Sequence, residues 1–223
     1  MRDPVDERPE PHALDHAAID APDERYVGAG VIFGTAFGCQ EANLQFDQFS
    51  LDPAVGLRGA SPLAFKGTVD NAPAGWVSVA YSLRGVNATF VSGFGAGAEA
   101  VIAAASAIEA GRAEMIVCGG VERLLSLQIA ALHRSGYAPT PYAAEGAVAI
   151  VLETAEAAQR RGHEPLARLV GAGRLRRRDP AALADLLHRL GVDPGAIGAA
   201  RVATGPWGDR EATEEILRTT GVT

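Results

Sequence analysis

Asn87-Ala-Thr-Phe-Val-Ser92, then Gly93-Phe-Gly-Ala-Gly97, then an alanine-rich run from Ala98 to Ala110 closed by Gly111, then Glu114-Met-Ile-Val-Cys118 entering Gly119-Gly120: this stretch decides the fold. Its first segment is short and β-branched, its second is a flexible corner, and its third has the composition of a helix ended by glycine. The fourth is a second strand, so the stretch predicts a βαβ unit whose parallel strands are buried on both faces. In that setting Cys118 reads as a small core residue and not as a reactive thiol.

Upstream, Tyr26-Val-Gly-Ala-Gly-Val-Ile-Phe33 predicts a buried strand, Gly34-Thr-Ala-Phe-Gly38 a tight turn, and Gln40 to Phe49 a helix. A loop carrying Pro53, Gly56, Gly59 and Pro62 follows. From Val69 to Leu83 the apolar Ala72, Trp76, Val79, Ala80 and Leu83 recur at helical spacing, and Gly85 stops the helix. Downstream, Gly146 to Leu152 predicts a strand, Thr154 to Arg161 a helix, Leu166 to Val170 a strand, Pro180 to Leu190 a helix and Ala200 to Ala203 a strand. Strands alternating with helices give a layered α/β architecture. Residues 1–25, rich in Pro, Asp, Glu and His, read as a flexible N-terminal arm in which only Ala13 to Ala21 could form a short helix, and residues 26–223 as a single domain.

Composition narrows the function. With 48% hydrophobic and 21% charged residues among 223, the chain can bury a substantial core. Its formal charge of −7 offers no basic surface to neutralise phosphates, which excludes nucleic acid as a main partner and disfavours anionic membranes. The N-terminus lacks a basic stretch followed by an apolar one, so no secretory signal is expected, and no apolar run reaches the roughly 20 residues a bilayer requires. Cys39 and Cys118 have neither CxxC nor Cys/His spacing, so no metal site is expected. A reducing cytoplasm is the expected location. His12 and His16 lie in the arm, and His163 and His188 read as exposed helix or turn residues, so no metal pair follows from them.

A strand turning sharply into a helix presents one side chain at a helix N-terminus, where backbone N–H groups favour negative charge. Phe94 occupies the tip of that corner, and phenylalanine has no lone pair with which to attack. Ser92 with His133 as base is a remote substitute, because Ser92 reads as a packed strand residue. A dinucleotide fingerprint also fails: Ala98 follows Gly97 where Gly-x-Gly-x-x-Gly spacing is needed, and Phe94 would crowd a pyrophosphate. No cofactor is expected.

Several segments in order resemble the β-ketoacyl synthase branch of the thiolase superfamily, from about Tyr26 to about Glu214. They are Ser61-Pro62 with Phe65, Asn71 and Ala74-Gly75; Val91 to Val101; Gly111-Arg-Ala-Glu114 with Gly119-Gly-Val-Glu122; and Glu145-Gly-Ala147 with Leu152-Glu153. The resemblance implies a thiolase-like layered α/β/α fold, truncated at both ends and incomplete in its C-terminal half. It also places Phe94 where the family has its acyl-accepting cysteine. The family's two C-terminal histidines find no counterpart either: the last histidine is His188, and the loop equivalent to one of them is Ala203-Thr-Gly-Pro-Trp-Gly-Asp209.

By that resemblance the chain has no catalytic residue of the family's kind, and is expected to be a silent, chain-length-factor-like subunit. Its partner would be a full-length ketosynthase, in a heterodimer of fatty acid or polyketide biosynthesis. Asn87, Thr89, Phe90 and Val91 are expected at the partner interface, and Ser92, Gly93, Phe94 and Gly95 at the acyl tunnel or its corner. Truncated sheets leave edges that favour pairing with another chain. Phe94 then serves as an apolar wall, unless it is plain packing left after loss of function. The cluster Arg174-Leu-Arg-Arg-Arg178 is either a solvated face or a receiver for an acidic acyl carrier protein. The alternative is an enzyme of altered chemistry (decarboxylase, hydrolase or isomerase) acting on a carrier-bound acyl chain.

Overall fold

The computed structural model describes residues 23–54, 56–59, 61–135, 145–175, 180–200 and 210–221. The helix expected over Ala13–Ala21, the strand over Ala200–Ala203 and most of the Arg174–Arg178 cluster fall wholly or partly outside these residues. The chain divides into two compact units, Met1–Arg123 with Glu145–Pro165, and Leu124–Ala144 with Leu166–Thr223.

The first unit is built on a four-stranded sheet of β1 (Gly30–Thr35), β2 (Asn87–Val91), β3 (Met115–Glu122) and β4 (Gly146–Glu153), in the order β2-β1-β3-β4. β1 pairs in parallel with both β2 and β3, and β4 closes the other side antiparallel to β3. Its helices are α1 (Gln40–Ser50), α2 (Pro62–Phe65), α3 (Ala72–Ala80), α4 (Ala96–Glu109) and α6 (Ala155–Arg160), with α5 (Ser126–Arg134) belonging to the second unit.

Alternation along β1 explains the layering. Val31 and Phe33 point to one face, where they pack with Ala74 and Leu83 on the α3 side. Ile32 points to the other and packs with Ala100 and Ala104 of α4. The sheet is thus sandwiched between α3 and α4, an α/β/α arrangement. The small alanines of α4 let it lie close on the sheet, and Gly34 makes the closest approach, since a Cβ there would run into the carbonyl of Ala96. Ile116, Val117 and Cys118 of β3 are fully or almost fully buried, so Cys118 is indeed a core residue.

The unit expected from the central stretch differs in one respect. Its two strands, β2 and β3, do not touch, because β1 runs between them. β2 is therefore an edge strand that is only half-buried, with Asn87, Thr89 and Val91 on one side and Ala88 and Phe90 packed toward α4. Burial on both faces holds for the first five residues of β3 and not for β2. Two further expectations are corrected. Tyr26 lies in a short 3₁₀ turn (Glu24–Tyr26), and the strand begins four residues later at Gly30, where β1 first meets β3. Leu166 to Val170 is not a strand: Leu166, Leu169 and Val170 are exposed and no neighbouring strand pairs with them among the described residues.

Glu153, at the end of β4, and Arg161, just beyond α6, form a buried two-bond ion pair at 2.8 and 2.6 Å that fastens helix to sheet. In the second unit α7 (Pro180–Arg189) and α8 (Arg210–Thr219) pack together, and the backbone at Gly171 and Gly173 comes close to the side-chain ends of Leu190 and Leu186. α2, α5 and α8 have no counterpart in the sequence reading, which places Pro62 in a loop; all three are short, and in α8 charged residues interrupt the apolar ones.

Candidate corner site

The expected site residues assemble at the C-terminal end of β2. Val91 ends the strand, Ser92 follows, and Gly93–Gly95 form a single 3₁₀ turn that runs straight into α4. Gly93 has φ +79°, a left-handed conformation that side chains rarely adopt, so a sharp corner needs glycine here. Gly95 is the N-cap of α4 and provides no side chain to bond the helix N-terminus. The corner therefore has the strand, turn and helix geometry that presents a group at a helix N-terminus, and the group presented is a phenyl ring.

Phe94 is 45% exposed. Its ring meets that of Phe37 edge to face, with centroids 5.7 Å apart and planes at 90°. Sequence reading did not pair these residues, although both lie at the tips of glycine-rich corners. Phe37 is positioned from a distance: Glu122, at the end of β3, accepts hydrogen bonds from the Ala36 amide at 2.5 Å and the Thr35 hydroxyl at 3.2 Å. The Thr35 hydroxyl in turn accepts from the Gly38 amide at 3.1 Å.

Ser92 donates its hydroxyl hydrogen bond to Glu99, at 2.5 Å. The carboxylate comes from the first turn of α4 and ties the two ends of the corner together. This partner was missed in the sequence, where His133 had been weighed as a base for Ser92; the signal was Glu99 itself, an acid in the first turn where the helix dipole favours one. Asn87 reaches inward and donates to Ser78 at 2.7 Å and to the Ala74 carbonyl at 3.4 Å. Thr89 has a buried hydroxyl with no partner among the described residues, Phe90 is half-buried in the core, and Val91 is exposed. Of the four residues expected at a partner interface, Val91 thus presents an apolar side chain outward, and the others offer mainly the strand's outer edge, which no strand pairs among the described residues.

The two thiols lie elsewhere. Burial pushes the Cys118 thiol up to about 12. Cys39, N-cap of α1, is also raised, first by burial and then by Asp70 and Glu122. No group of three or more His, Cys, Asp or Glu capable of holding a metal occurs among the described residues. No helix among them is long and apolar enough to cross a membrane.

Comparison with known proteins places this geometry. A family model described as Beta-ketoacyl synthase, N-terminal domain, matches residues 11–158. The chain is 30% identical over 190 residues to 3-oxoacyl-[acyl-carrier-protein] synthase 2 of Rhizobium meliloti, a match covering 72% of this chain and 44% of that protein. Among solved structures, the ishigamide ketosynthase/chain length factor superposes with a TM-score of 0.72 at 25% identity, over 92% of this chain and 58% of that one. A β-ketoacyl synthase from Burkholderia phymatum STM815 gives 0.73 at 22% identity, over 94% and 58%, a likeness of fold. The chain spans less than half the length of the curated relatives it matches.

Proposed function

Since the chain belongs to the β-ketoacyl synthase family, we propose that it is a non-catalytic, ketosynthase-like subunit. In this reading it pairs with an active β-ketoacyl synthase of fatty acid or polyketide synthesis and shapes that partner's acyl pocket, as a chain length factor does. One observation carries the proposal: the corner keeps its left-handed glycine and its run into α4, while the side chain at its tip is the exposed ring of Phe94, edge to face with Phe37. A phenyl ring cannot form a thioester, but it is large, has few rotamers and suits the wall of an apolar tunnel. The outer edge of β2 gives the pairing surface, because a strand edge offers unpaired N–H and C=O groups to another chain. An acyl carrier protein is the further partner this role implies.

The test is the mass in solution, by light scattering, of the chain alone and mixed with full-length β-ketoacyl synthases from the same genome. A one-to-one complex is expected, with Phe94→Ala lengthening or scattering the products of the reconstituted pair. A chain that stays monomeric beside every synthase overturns the proposal. A second reading, altered chemistry on a carrier-bound acyl chain, is favoured only by the Ser92–Glu99 hydrogen bond, which puts one polar pair on the corner. Turnover of an acyl-carrier substrate by the chain alone, lost in Ser92→Ala, would establish it.

A further inference from the structure

The two corners leave the sheet side by side. β1 and β2 are parallel neighbours whose last residues, Thr35 and Val91, are register partners, so the turn carrying Phe37 and the turn carrying Phe94 emerge from the same end of the sheet. Glu122 comes from the other neighbour of β1. The pairing of Gly34 with Gly120 sets it, two residues further along β3, level with Ala36.

Phe37 is gripped on both flanks, and one carboxylate oxygen serves both grips. Glu122 Oε2 accepts from the Ala36 amide, immediately before Phe37, at 2.5 Å. It also accepts from the Thr35 hydroxyl at 3.2 Å, and that hydroxyl accepts from the Gly38 amide, immediately after Phe37, at 3.1 Å. Thr35 is buried, where such a chain of bonds is stronger than in water. Phe94 is placed differently. Its two chain neighbours, Gly93 and Gly95, have no side chains to confine its ring, and the edge-to-face contact with Phe37, centroids 5.7 Å apart, ties it to the first corner.

We propose that Glu122 is a positioning residue for the Phe94 ring: by fixing the turn from Thr35 to Gly38 it fixes Phe37, and through Phe37 it sets where Phe94 stands at the second corner. The coupling is a property of this chain alone; its consequence for products rests on the pocket-shaping role proposed above.

The experiment is NMR of the full chain with its phenylalanine rings isotope-labelled, the signals of Phe94 and Phe37 being assigned by their loss in Phe94→Leu and Phe37→Leu. Rings in edge-to-face contact shift each other's protons, so Phe37→Leu also shows where the Phe94 signals lie without that neighbour. Glu122→Ala is expected to carry the Phe94 signals most of the way to that position, while Glu122→Gln, which keeps an acceptor for the Ala36 amide, leaves them near the wild-type position. The Phe46 and Phe65 rings, in contact with each other elsewhere in the unit, should not move. Thr35→Val keeps the shape of the side chain and removes only the hydroxyl; it should move the Phe94 signals the same way by less, and it decides the matter where Glu122→Ala does not fold. Phe94 signals that stay in place in the folded variant, or that move no more than those of Phe46 and Phe65, overturn the proposal. In a reconstituted pair Glu122→Ala should change product length in the same direction as Phe94→Ala. Products that respond to Phe94→Ala and not to Glu122→Ala also overturn it, whereas the expected ring shifts beside products indifferent to Phe94→Ala support the coupling and overturn the pocket-shaping role instead.

Discussion

The corner after β1 and the corner after β2 both leave a parallel strand through glycine and enter a helix N-terminus, yet they are held in different ways. The first depends on residues far away in sequence: Glu122 of β3 binds Thr35 and Ala36, and Asp70 accepts from the Cys39 amide at 3.0 Å. The second is closed locally, by Gly93 in its left-handed conformation and by Ser92 bonded to Glu99 seven residues on. A helix N-terminus lowers a thiol's pKa when nothing opposes it. Cys39 occupies such a position, but burial and two carboxylates push it the other way. Helix geometry alone therefore does not make a nucleophile; burial first, and then the charges around it, decide.

The largest effect is expected where the two corners meet. In Gly34→Ala the new methyl must displace the carbonyl of Ala96, forcing β1 away from α4 and disturbing both corners. A loss of about 4 kcal/mol or more is expected in urea unfolding, the range reserved for backbone collisions and core disruption. An unchanged midpoint would show that α4 is not seated on β1 as described.

A smaller pair of effects separates distant from local support. Glu122→Ala removes a carboxylate that bonds a backbone amide and a buried threonine, and is expected to cost about 2–3 kcal/mol. Glu99→Ala breaks an exposed bond and is expected to cost less than about 1 kcal/mol. Equal costs would erase the distinction between the corners.

The smallest effect concerns the two thiols. Cys118, raised to about 12 in the fold, should resist alkylation until the protein unfolds, while Cys39 should react slowly and faster in Asp70→Asn. The folded value of Cys118 lies above that of an ordinary thiol, so the unfolded chain loses its proton first as the pH rises. Its contribution to stability is whole below the ordinary thiol range and is lost between there and about pH 12. Over that window the wild type should lose stability more steeply than Cys118→Ala in denaturant titrations; parallel curves would mean that the thiol is not buried as described.

Much of this comparison was legible in the residues. Gly93, Phe94 and the alanine run announced the second corner because a turn and the helix beginning it are set by neighbours in the chain. The extent of α1, from Gln40 to Ser50, was readable within a residue for the same reason. The edge-to-face contact of Phe37 with Phe94 and the grip of Glu122 on Thr35 were not, because the partners are 57 and 87 residues apart and no local pattern records which strand ends come together. Leu166–Val170 shows the opposite failure: its composition suits a strand, but a strand exists only where an edge accepts it.

By itself the sequence determined the α/β character, the family, the buried state of Cys118 and the absence of a nucleophile at Phe94. The family follows from the resemblance of its motifs to known ones, and the rest from periodicity, composition and side-chain identity, all of which are properties of the chain. Only the tertiary structure decided that β1 runs between β2 and β3, leaving β2 at an edge among the described residues, and that one oxygen of Glu122 is used while the other is buried with no donor among them. Strand order and hydrogen-bond satisfaction depend on which distant segments occupy the same space, and packing settles that only once the whole sheet has formed.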